Sequence, residues 1–391
     1  MKQRICAEQS SAYRRLLHAY ENRYEHLAQC RAAGKKAVGC LGYGVCSELI
    51  TAAGMAPVAI CADADYDRAL ADKYLEYSFT EKGKCYFAKL VGGLGSVTPE
   101  YAAIGDSEDV MNRVYYYARE VQRSEPERDM PELYFVDWLF SRHMMYQGWN
   151  KKALARFQAQ LEAWSGAPIS EEALKAAIGL SNRQFAAMEK LRALRRCEAP
   201  RVTGCEALVI IGAKNFMDAA EYTECLETLA CEAADWPEAE GGKVYFSGSV
   251  QHDVSVYEVI EAHGLIVCGE DHDWGDRAFE RPIRTDLEPL QALVDSYMLR
   301  TPTAQKGLVA ERVDAMMDSV AAAGAKAVVF YTDEYDEAAS WDYPSQKKAL
   351  DGQQIPSANF CKRKLAAAED AELAEGLEAL KTKLEGGAQN G

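Results

Sequence analysis

Residues 327–360, AVVFYTDEYDEAASWDYPSQKKALDGQQIPSANF, decide the predicted fold. An apolar run at residues 327–331 is typical of a buried strand, and a second strand is predicted at residues 355–360. Between them lie an acidic segment that ends at Asp342 and a predicted helix that runs from Tyr343 to about Leu350. Loops at the carboxyl ends of strands are where open α/β sheets hold their ligands, so this acidic loop is the first candidate site.

The preceding part of the second half of the chain alternates strands with helices in the same way. Strands are predicted at residues 243–247 and 265–268, with helices at about 253–263 and 308–323. This alternation indicates a parallel sheet with right-handed crossovers. An earlier block of the same kind has predicted strands at residues 36–41, 57–61, 101–104 and 133–136.

The chain therefore divides into five segments, and the predicted fold class is α/β. Two Rossmann-like lobes with parallel sheets are expected, joined by a helical segment in which Ser170 before two glutamates predicts a helix start. The segments are an N-terminal helical segment (1–36), a first α/β lobe (37–149), a helical linker or insertion (150–240), a second α/β lobe (241–364), and a C-terminal helix and tail (365–391).

Composition argues against several classes of partner. The formal net charge of -16 over 391 residues disfavours a nucleic acid or an anionic membrane surface, because such binding depends on Lys and Arg that neutralise phosphates. No signal-peptide core opens the chain and no apolar run reaches the roughly eighteen residues of a membrane span, so we expect a cytoplasmic protein with no membrane partner. The twelve cysteines form no CxxC pair and are not typical of a secreted disulfide framework.

Three polar segments follow predicted strands of the second lobe. Gly248 and Ser249 precede a helix whose free N–H groups are able to hold an anion, although an ordinary strand-to-helix turn has the same pattern. Arg277 ends an acidic segment and is a candidate partner for a phosphate or carboxylate. Consecutive acids in that segment point in diverging directions, which favours a solvated loop over a metal site. The third segment is the loop before Asp342, which is either a site or an acidic surface loop whose last residue caps the next helix.

Other catalytic motifs are missing from the sequence. It contains no GxSxG motif, no P-loop and no GxGxxG after a predicted strand. Nucleophilic catalysis, nucleotide hydrolysis and ordinary dinucleotide binding therefore have no motif in their favour.

Three segments together carry a resemblance to a known family. They are GYGVCSELITAAGMAPVAIC at residues 42–61, GLIVCGEDHDWGDR at residues 264–277, and AVVFYTDEYDEAASWDYPSQKKALDGQQIPS at residues 327–357. They resemble the 2-hydroxyacyl-CoA dehydratase family, whose relatives include the benzoyl-CoA reductase B and C subunits. The resemblance covers residues 37–360.

The resemblance implies a bilobed protein that works on an acyl-CoA thioester. In catalytic members, three cysteine thiolates from separate loops hold a 4Fe-4S cluster, and thiolates are the soft ligands that such clusters select. The open iron site binds the thioester carbonyl, and a separate ATP-dependent activator protein injects an electron so that water leaves as a ketyl radical forms. The family resemblance also implies a paralogous partner subunit.

The expected cluster ligands are altered in this chain. Gly42 stands where the family places its first cysteine, and Asp336 stands at the third position. Cys85, followed by Lys89, matches the second position, and a further family cysteine falls on Asp273. One retained thiolate does not hold a cluster that needs three or four ligands, so we expect the 4Fe-4S cluster to be absent or incomplete here.

Three functions are compatible with this pattern. The first is a subunit of a 2-hydroxyacyl-CoA dehydratase, which removes water from an acyl-CoA by reductive syn-elimination together with a cluster-bearing paralogous subunit. The residues expected to bind its substrate are Lys89, Gly248, Ser249 and Arg277. The second is a cluster-free small-molecule binding or regulatory protein on the same bilobed fold. The third is a mononuclear metal site, because one thiolate with hard carboxylates suits zinc or ferrous iron. Its ligands would be Cys85, Asp336 and Glu337.

Overall fold

Two four-stranded parallel sheets form the framework of the molecule. The structure is a computed structural model that describes residues 4–301, 306–365 and 370–388. The strands are β1 (Ala37–Leu41), β2 (Ala56–Ala59), β3 (Tyr101–Gly105), β4 (Glu132–Val136), β5 (Gly242–Gly248), β6 (Leu265–Glu270), β7 (Ala327–Asp333) and β8 (Ser357–Arg363). The first sheet has the order β2-β1-β3-β4, and the second has the order β6-β5-β7-β8. The predicted α/β fold with two Rossmann-like lobes is confirmed.

Helices precede, cover and connect the two sheets. They are α1 (Ile5–Gln9), α2 (Ser11–Glu21), α3 (Glu25–Ala32), α4 (Ser47–Ala52), α5 (Arg68–Tyr74), α6 (Glu81–Gly92), α7 (Asp109–Ser124), α8 (Gln147–Ser165), α9 (Glu171–Arg196), α10 (Gly204–Ala213), α11 (Ala219–Glu232), α12 (Ser255–Ala262), α13 (Pro289–Met298), α14 (Val309–Ala323), α15 (Glu337–Gly352) and α16 (Ala371–Ala388). Within the described parts of the chain, none of these helices has the length and apolar character needed to cross a membrane.

The second sheet is buried by helices on both of its faces. Every residue of β6 is buried, and β7 is buried from Ala327 through Thr332. One face of the sheet packs against α12 and α16, and the opposite face packs against α14. Near-continuous apolar runs are typical of parallel strands that are covered in this way, which explains why the strands of this lobe could be predicted from the sequence.

The long helix α9 connects the two lobes. Ser170 caps its first turn with its hydroxyl oxygen, as predicted. In its middle, Ser181 donates a hydrogen bond of 2.8 Å to Glu48 of the first lobe. Near its end, Arg195 forms an ion pair with Glu270 at the end of β6. Because α9 is bonded to both lobes through buried carboxylates, it fixes the position of one sheet relative to the other.

The acidic loop after β7 is shorter than predicted. Helix α15 already begins at Glu337, and Asp336 is its N-cap residue, so the prediction that Asp342 caps this helix is wrong. Asp342 lies inside the helix, where its carboxylate accepts hydrogen bonds from the Arg312 guanidinium. Pro344 favours a helix start in sequence reasoning but lies in the interior of α15. Proline in a helix interior lacks the N–H that would bond to the carbonyl four residues earlier, and the Arg312–Asp342 ion pair lies beside this position.

Candidate functional site

The loops that follow the strands of both sheets line one cleft between the lobes. In each sheet the strand order reverses at one point, between β1 and β3 and between β5 and β7, and ligands of open α/β sheets bind at such points. The cleft contains a larger cavity of about 280 Å³ and a smaller cavity of about 170 Å³. Both are lined by Ser107 and Glu108 of the first lobe and by Val250 of the second. The two cavities are therefore neighbouring parts of a single site.

The larger cavity brings together four of the residues predicted from the sequence. Gly248, Ser249, Arg277 and Asp336 all line it. The Ser249 hydroxyl donates a hydrogen bond to a carboxylate oxygen of Asp336. The same hydroxyl oxygen accepts a hydrogen bond of 2.9 Å from the N–H of Asp333. The loops that follow β5 and β7 are thus tied to each other at the base of the cavity.

The segment after β6 supplies two partly buried carboxyl groups and an arginine. The Ser247 hydroxyl donates to Asp271 at 2.6 Å, and burial raises the pKa of Asp271 to about 6. Arg277 Nε donates to Asp273 at 2.9 Å, and its guanidinium lies 5.1 Å from the centre of the Tyr43 ring. Burial also raises the pKa of Asp273, an effect that Arg277 opposes. Arg277 thus reaches the cavity while it holds an acidic partner.

His272 lies in the wall of the larger cavity as a neutral base. Its Nε2 atom is 2.9 Å from the Tyr257 hydroxyl oxygen, and its Nδ1 atom has no hydrogen-bond partner among the described residues. Burial lowers the pKa of His272 to about 3. The imidazole is therefore uncharged near neutral pH and able to exchange hydrogen bonds with a ligand.

The first lobe closes the cleft with charged residues that sequence reasoning missed. Lys82 of α6 lies 2.6 Å from a carboxylate oxygen of Asp333 and donates a hydrogen bond of 2.7 Å to the carbonyl of Val250. Burial raises the pKa of Glu108 to about 7, although Lys82 lowers it. A carboxyl group that titrates near neutrality is suited to accept or release a proton at its own oxygens. Glu108 could have been found, because it follows a predicted strand, whereas Lys82 lies within a helix and has no local signal.

The smaller cavity is built around Gly42 and a group of charged residues. Gly42 has a φ angle of 78°, and a Cβ atom at this position would lie 2.7 Å from the Ser107 hydroxyl oxygen. Glu48 lines the same cavity with Lys214 and Arg300. Burial would raise the pKa of Glu48, but the charges of Lys214 and Arg300 hold it below its ordinary value. The cavity thus places a buried carboxylate close to two cations.

Cys85 and Lys89 lie on α6 but line neither of these cavities. Cys85 is fully buried in the core of the first lobe, and burial raises the pKa of its thiol to about 12. Lys89 is ion-paired with Asp63 and donates a hydrogen bond of 2.8 Å to the carbonyl of Cys61. Lys89 therefore lies outside the cavity lined by Gly248, Ser249 and Arg277, the other predicted substrate-binding residues, and Cys85 lies outside the cavity lined by Asp336, its predicted fellow ligand.

The residues at the expected ligand positions do not fit a 4Fe-4S cluster. Gly42 offers no ligand atom, the Asp336 carboxylate is bonded to Ser249, and Cys85 is buried as a thiol. Within residues 4–301, 306–365 and 370–388, no three or more His, Cys, Asp or Glu side chains are grouped so as to hold a metal ion. Cys85, Asp336 and Glu337 accordingly form no such group. A cubane cluster needs three or four thiolate ligands.

The fold defines a bilobed α/β protein with a cleft between the carboxyl ends of two parallel sheets. The family model described as 2-hydroxyglutaryl-CoA dehydratase, D-component, matches residues 43–385. The chain belongs to this family, and the resemblance inferred from the sequence is confirmed.

Two relatives show the same family membership over most of their length. The (R)-2-hydroxyglutaryl-CoA dehydratase subunit beta of Acidaminococcus fermentans is 25% identical over 345 residues, which are 84% of this chain and 88% of the relative. The (R)-phenyllactyl-CoA dehydratase beta subunit of Clostridium sporogenes is 21% identical over 342 residues, which are 85% of this chain and 87% of the relative. Both relatives are described as beta subunits.

Proposed function

We propose that this chain is a subunit of an enzyme of the (R)-2-hydroxyacyl-CoA dehydratase type and binds an acyl-CoA thioester in the cleft between its lobes. It works with a paralogous subunit that carries the iron–sulfur cluster, and an ATP-dependent activator protein supplies the electron to that partner. The family match and the two relatives described as dehydratase beta subunits support this proposal.

The main observation in favour of a subunit that has no cluster of its own is the identity of the residues at the expected ligand positions. Gly42 stands at the first position, and Asp336 is held by Ser249 at the third. Asp273 is paired with Arg277 where a further cysteine is expected. Since carboxylates already bound by protein donors are poor substitutes for thiolates, we propose that this chain holds no cluster and that the cluster is in the partner.

The residues of this chain have roles in binding and in proton transfer. Arg277 offers a charged donor in the larger cavity, and Ser249 positions the Asp336 carboxylate there. Glu108 lines both cavities with a pKa of about 7, so it is able to take up or release one proton beside a bound thioester. His272 lines the larger cavity, remains neutral, and is able to exchange hydrogen bonds with the bound thioester without adding charge.

Anaerobic purification and reconstitution test this function. The isolated chain should contain iron and sulfide far below the amount needed for one cluster and should show no dehydratase activity. Activity should appear when it is mixed with a cluster-bearing paralogue and the activator. Acyl-CoA should raise the melting temperature of the chain, and Arg277→Gln should reduce this shift. The matched control is Arg183→Gln, because Arg183 lies on the exposed side of α9.

Two results would change the assignment. Dehydratase activity from the isolated chain would rule out a subunit that depends on a cluster-bearing partner. If the chain contains no iron and no thioester raises its melting temperature, the second function, a cluster-free binding or regulatory protein, would be favoured. The loss of cysteines from the expected ligand positions is the observation that supports testing this alternative.

A further inference from the structure

The smaller cavity is lined by a lysine whose amine has no ionic partner. Lys214 follows α10 and is only partly exposed. Among the residues that the structure describes, its Nζ atom has no carboxylate oxygen within 4.0 Å and no hydrogen-bond acceptor. Its characterised contact is with the ring of Phe279, whose centre lies 4.8 Å from Nζ. No ion pair or hydrogen bond in the described part of the chain therefore holds this amine in its protonated form.

Two other lysines show how a buried amine keeps its charge in this protein. Lys82 lies 2.6 Å from a carboxylate oxygen of Asp333. Burial would lower the pKa of Lys82, but the charge of Asp333 holds it above its ordinary value. Lys89 is ion-paired with Asp63. Lys214 lacks such a partner, so burial acts on its amine without this compensation.

The groups that face Lys214 favour the neutral amine on balance. Burial lowers the pKa of Lys214, an effect that Glu48 opposes and Arg300 reinforces. Glu48 acts from beyond ion-pair distance and accepts a hydrogen bond of 2.9 Å from the Tyr297 hydroxyl. Cys46 also acts on Lys214, but burial raises the pKa of its thiol, so it adds no charge near neutral pH. A desolvated lysine beside another cation is the usual setting of a nucleophilic amine.

The cavity that holds this amine belongs to the cleft to which the proposed function assigns the thioester. Ser107, Glu108 and Val250 line both cavities of the cleft. The smaller cavity has a volume of about 170 Å³, below the roughly 300–1,000 Å³ of pockets that hold drug-sized ligands. It therefore suits a short acyl group and is too small for the CoA nucleotide. An acyl group that enters it brings the thioester carbonyl into the cavity that Lys214 lines.

Two buried polar atoms of the same cavity are a second, independent indication of a ligand. His252 and Gln184 line the cavity, with 5% and 2% of their surfaces exposed. His252 Nδ1 and Gln184 Oε1 have no hydrogen-bond partner in the described part of the chain. Buried polar atoms in native proteins are rarely left in this state. The cavity therefore accommodates a polar group, and the amide that joins an acyl group to a lysine is such a group.

We propose that Lys214 is an acylation site, whose amine takes the acyl group from a thioester bound in the cleft. This inference rests on the proposed function for its acyl donor and adds a covalent modification to it. The amine nitrogen attacks the thioester carbonyl carbon, and the new C–N bond replaces the C–S bond. The proton that the amine loses goes to the departing CoA thiolate, so the products are an Nε-acyl-lysine and free CoA. Cys40 of the same cavity competes poorly, because burial raises the pKa of its thiol to about 12.

The modification changes both the charge and the free volume of the smaller cavity. Lys214 and Arg300 both line it, and acylation leaves Arg300 as the cation of this pair. The attached acyl group also occupies part of a volume of only about 170 Å³. A modified chain no longer has room there for the acyl group of a second thioester. Prolonged exposure to a thioester therefore closes this part of the cleft.

Incubation of the full-length chain with butyryl-CoA, followed by peptide mass spectrometry, tests the acylation site. Lys214 should gain a butyryl group at least about tenfold faster than the exposed Lys190, because a bound thioester reacts without a bimolecular encounter. The rate should saturate with the concentration of butyryl-CoA, and one equivalent of free CoA should appear for each modified chain. The label should survive hydroxylamine, which cleaves an S-acyl cysteine but not an amide.

Competitive labelling with trace acetic anhydride measures the amine in the absence of CoA. The pH midpoint of Lys214 labelling should lie below that of Lys190, because a lowered pKa keeps the amine of Lys214 neutral at lower pH. Glu48→Gln removes the charge that opposes this shift and should move the midpoint further down.

A conservative variant separates nucleophilicity from charge and folding. Lys214→Arg keeps the cation but not the nucleophilic amine. It should lose butyrylation at this position, while butyryl-CoA still raises its melting temperature. The melting temperatures of all variants without a ligand establish that each one is folded.

The outcomes separate failure of the acylation site from failure of the proposed function. If butyryl-CoA raises the melting temperature but modifies Lys214 no faster than Lys190, the acylation site is refuted and acyl-CoA binding stands. If butyryl-CoA neither binds nor reacts although the labelling midpoint of Lys214 is low, both the proposed function and transfer from a thioester are overturned. A label that hydroxylamine removes would place the acyl group on a cysteine and overturn the assignment to Lys214.

Discussion

The buried ion pair between Arg195 and Glu270 gives a stability prediction that follows directly from the geometry. Arg195 Nη1 donates to a Glu270 oxygen at 2.9 Å, and Arg195 Nε donates to the carbonyl of Val267 at 3.0 Å. The two side chains are 3% and 2% exposed. Removing one partner of a buried pair typically costs about 3–5 kcal/mol, because the other charge is left buried. Arg195→Met should therefore lower the free energy of unfolding by about 3–5 kcal/mol.

The same helix provides a matched control that differs in burial. Arg183 forms a two-point ion pair with Glu227 at 2.8 and 2.7 Å, but these side chains are 53% and 42% exposed. Exposed pairs contribute about 0–1 kcal/mol, so Arg183→Met should have little effect. Urea unfolding followed by circular dichroism measures both variants, with the slope of the transition compared as well as its midpoint.

A double variant tests whether the cost arises from the unpaired charge. Arg195→Met combined with Glu270→Gln removes both charges and should be more stable than Arg195→Met alone, because no buried charge is left without a partner. If Arg195→Met costs no more than Arg183→Met, or if the double variant is as unstable as the sum of its parts, the argument from burial is refuted.

Three further predictions concern the cleft and the buried thiol. Gly248→Ala should destabilise the protein by about 1–3 kcal/mol in urea unfolding, because φ is 133° there and a Cβ atom would lie 2.2 Å from the Tyr331 carbonyl oxygen. Gly352→Ala, with open space around its Cβ, should be neutral or stabilising, and equal effects of the two substitutions would contradict this reasoning. The raised pKa of Glu108 means that its contribution to stability is present below its ordinary value of 4.5 and is lost as the pH rises to about 7. Glu108→Gln should therefore raise the melting temperature at pH 8 and change it little near pH 4.5, and a difference that does not shrink at the lower pH would argue against a raised pKa. Cys85 should resist iodoacetamide in the native protein at pH 8, because burial raises the pKa of its thiol to about 12, and rapid labelling detected by mass spectrometry would disprove its burial. Three exposed cysteines serve as positive controls for the reagent: Cys197, Cys231 and Cys361.

The fold was predictable because burial on both faces imposes a simple pattern on parallel strands. Apolar runs such as residues 327–331 stand out from the polar helices between them, and β6 of the same sheet is buried along its whole length. The predicted start of helix α15 was wrong, because the local sequence signals there conflict with a tertiary contact. Pro344 and the acids before it favour a late start, but the tertiary contact between Asp342 and Arg312 supports an earlier helix. That contact joins two helices, so it cannot be predicted from the local sequence pattern of either one.

The larger cavity was predictable for a reason that does not extend to the smaller one. Gly248 ends one strand of the second sheet, Arg277 and Asp336 follow two others, and the carboxyl ends of parallel strands meet at the same edge. Lys214 and Arg300 instead follow helices whose neighbours are set by packing between the lobes. No spacing rule connects residues that lie this far apart in the sequence, and only the structure reveals that they share a cavity.

Backbone conformation as well as side-chain chemistry at the expected ligand positions disfavours cysteine ligands for a cluster. At Gly42, the φ angle of 78° and the 2.7 Å approach of a Cβ atom to the Ser107 hydroxyl both oppose a cysteine. At Asp336, the hydrogen bond from Ser249 ties the N-cap of α15 to the loop after β5, and a thiol in its place would leave that serine with a weak acceptor. Returning cysteines to these positions would therefore disturb two loops of the cleft before it created a ligand set. The proposed function gives this cleft, which carboxylates hold together and a glycine shapes, the role of binding a thioester while the cluster lies in the partner.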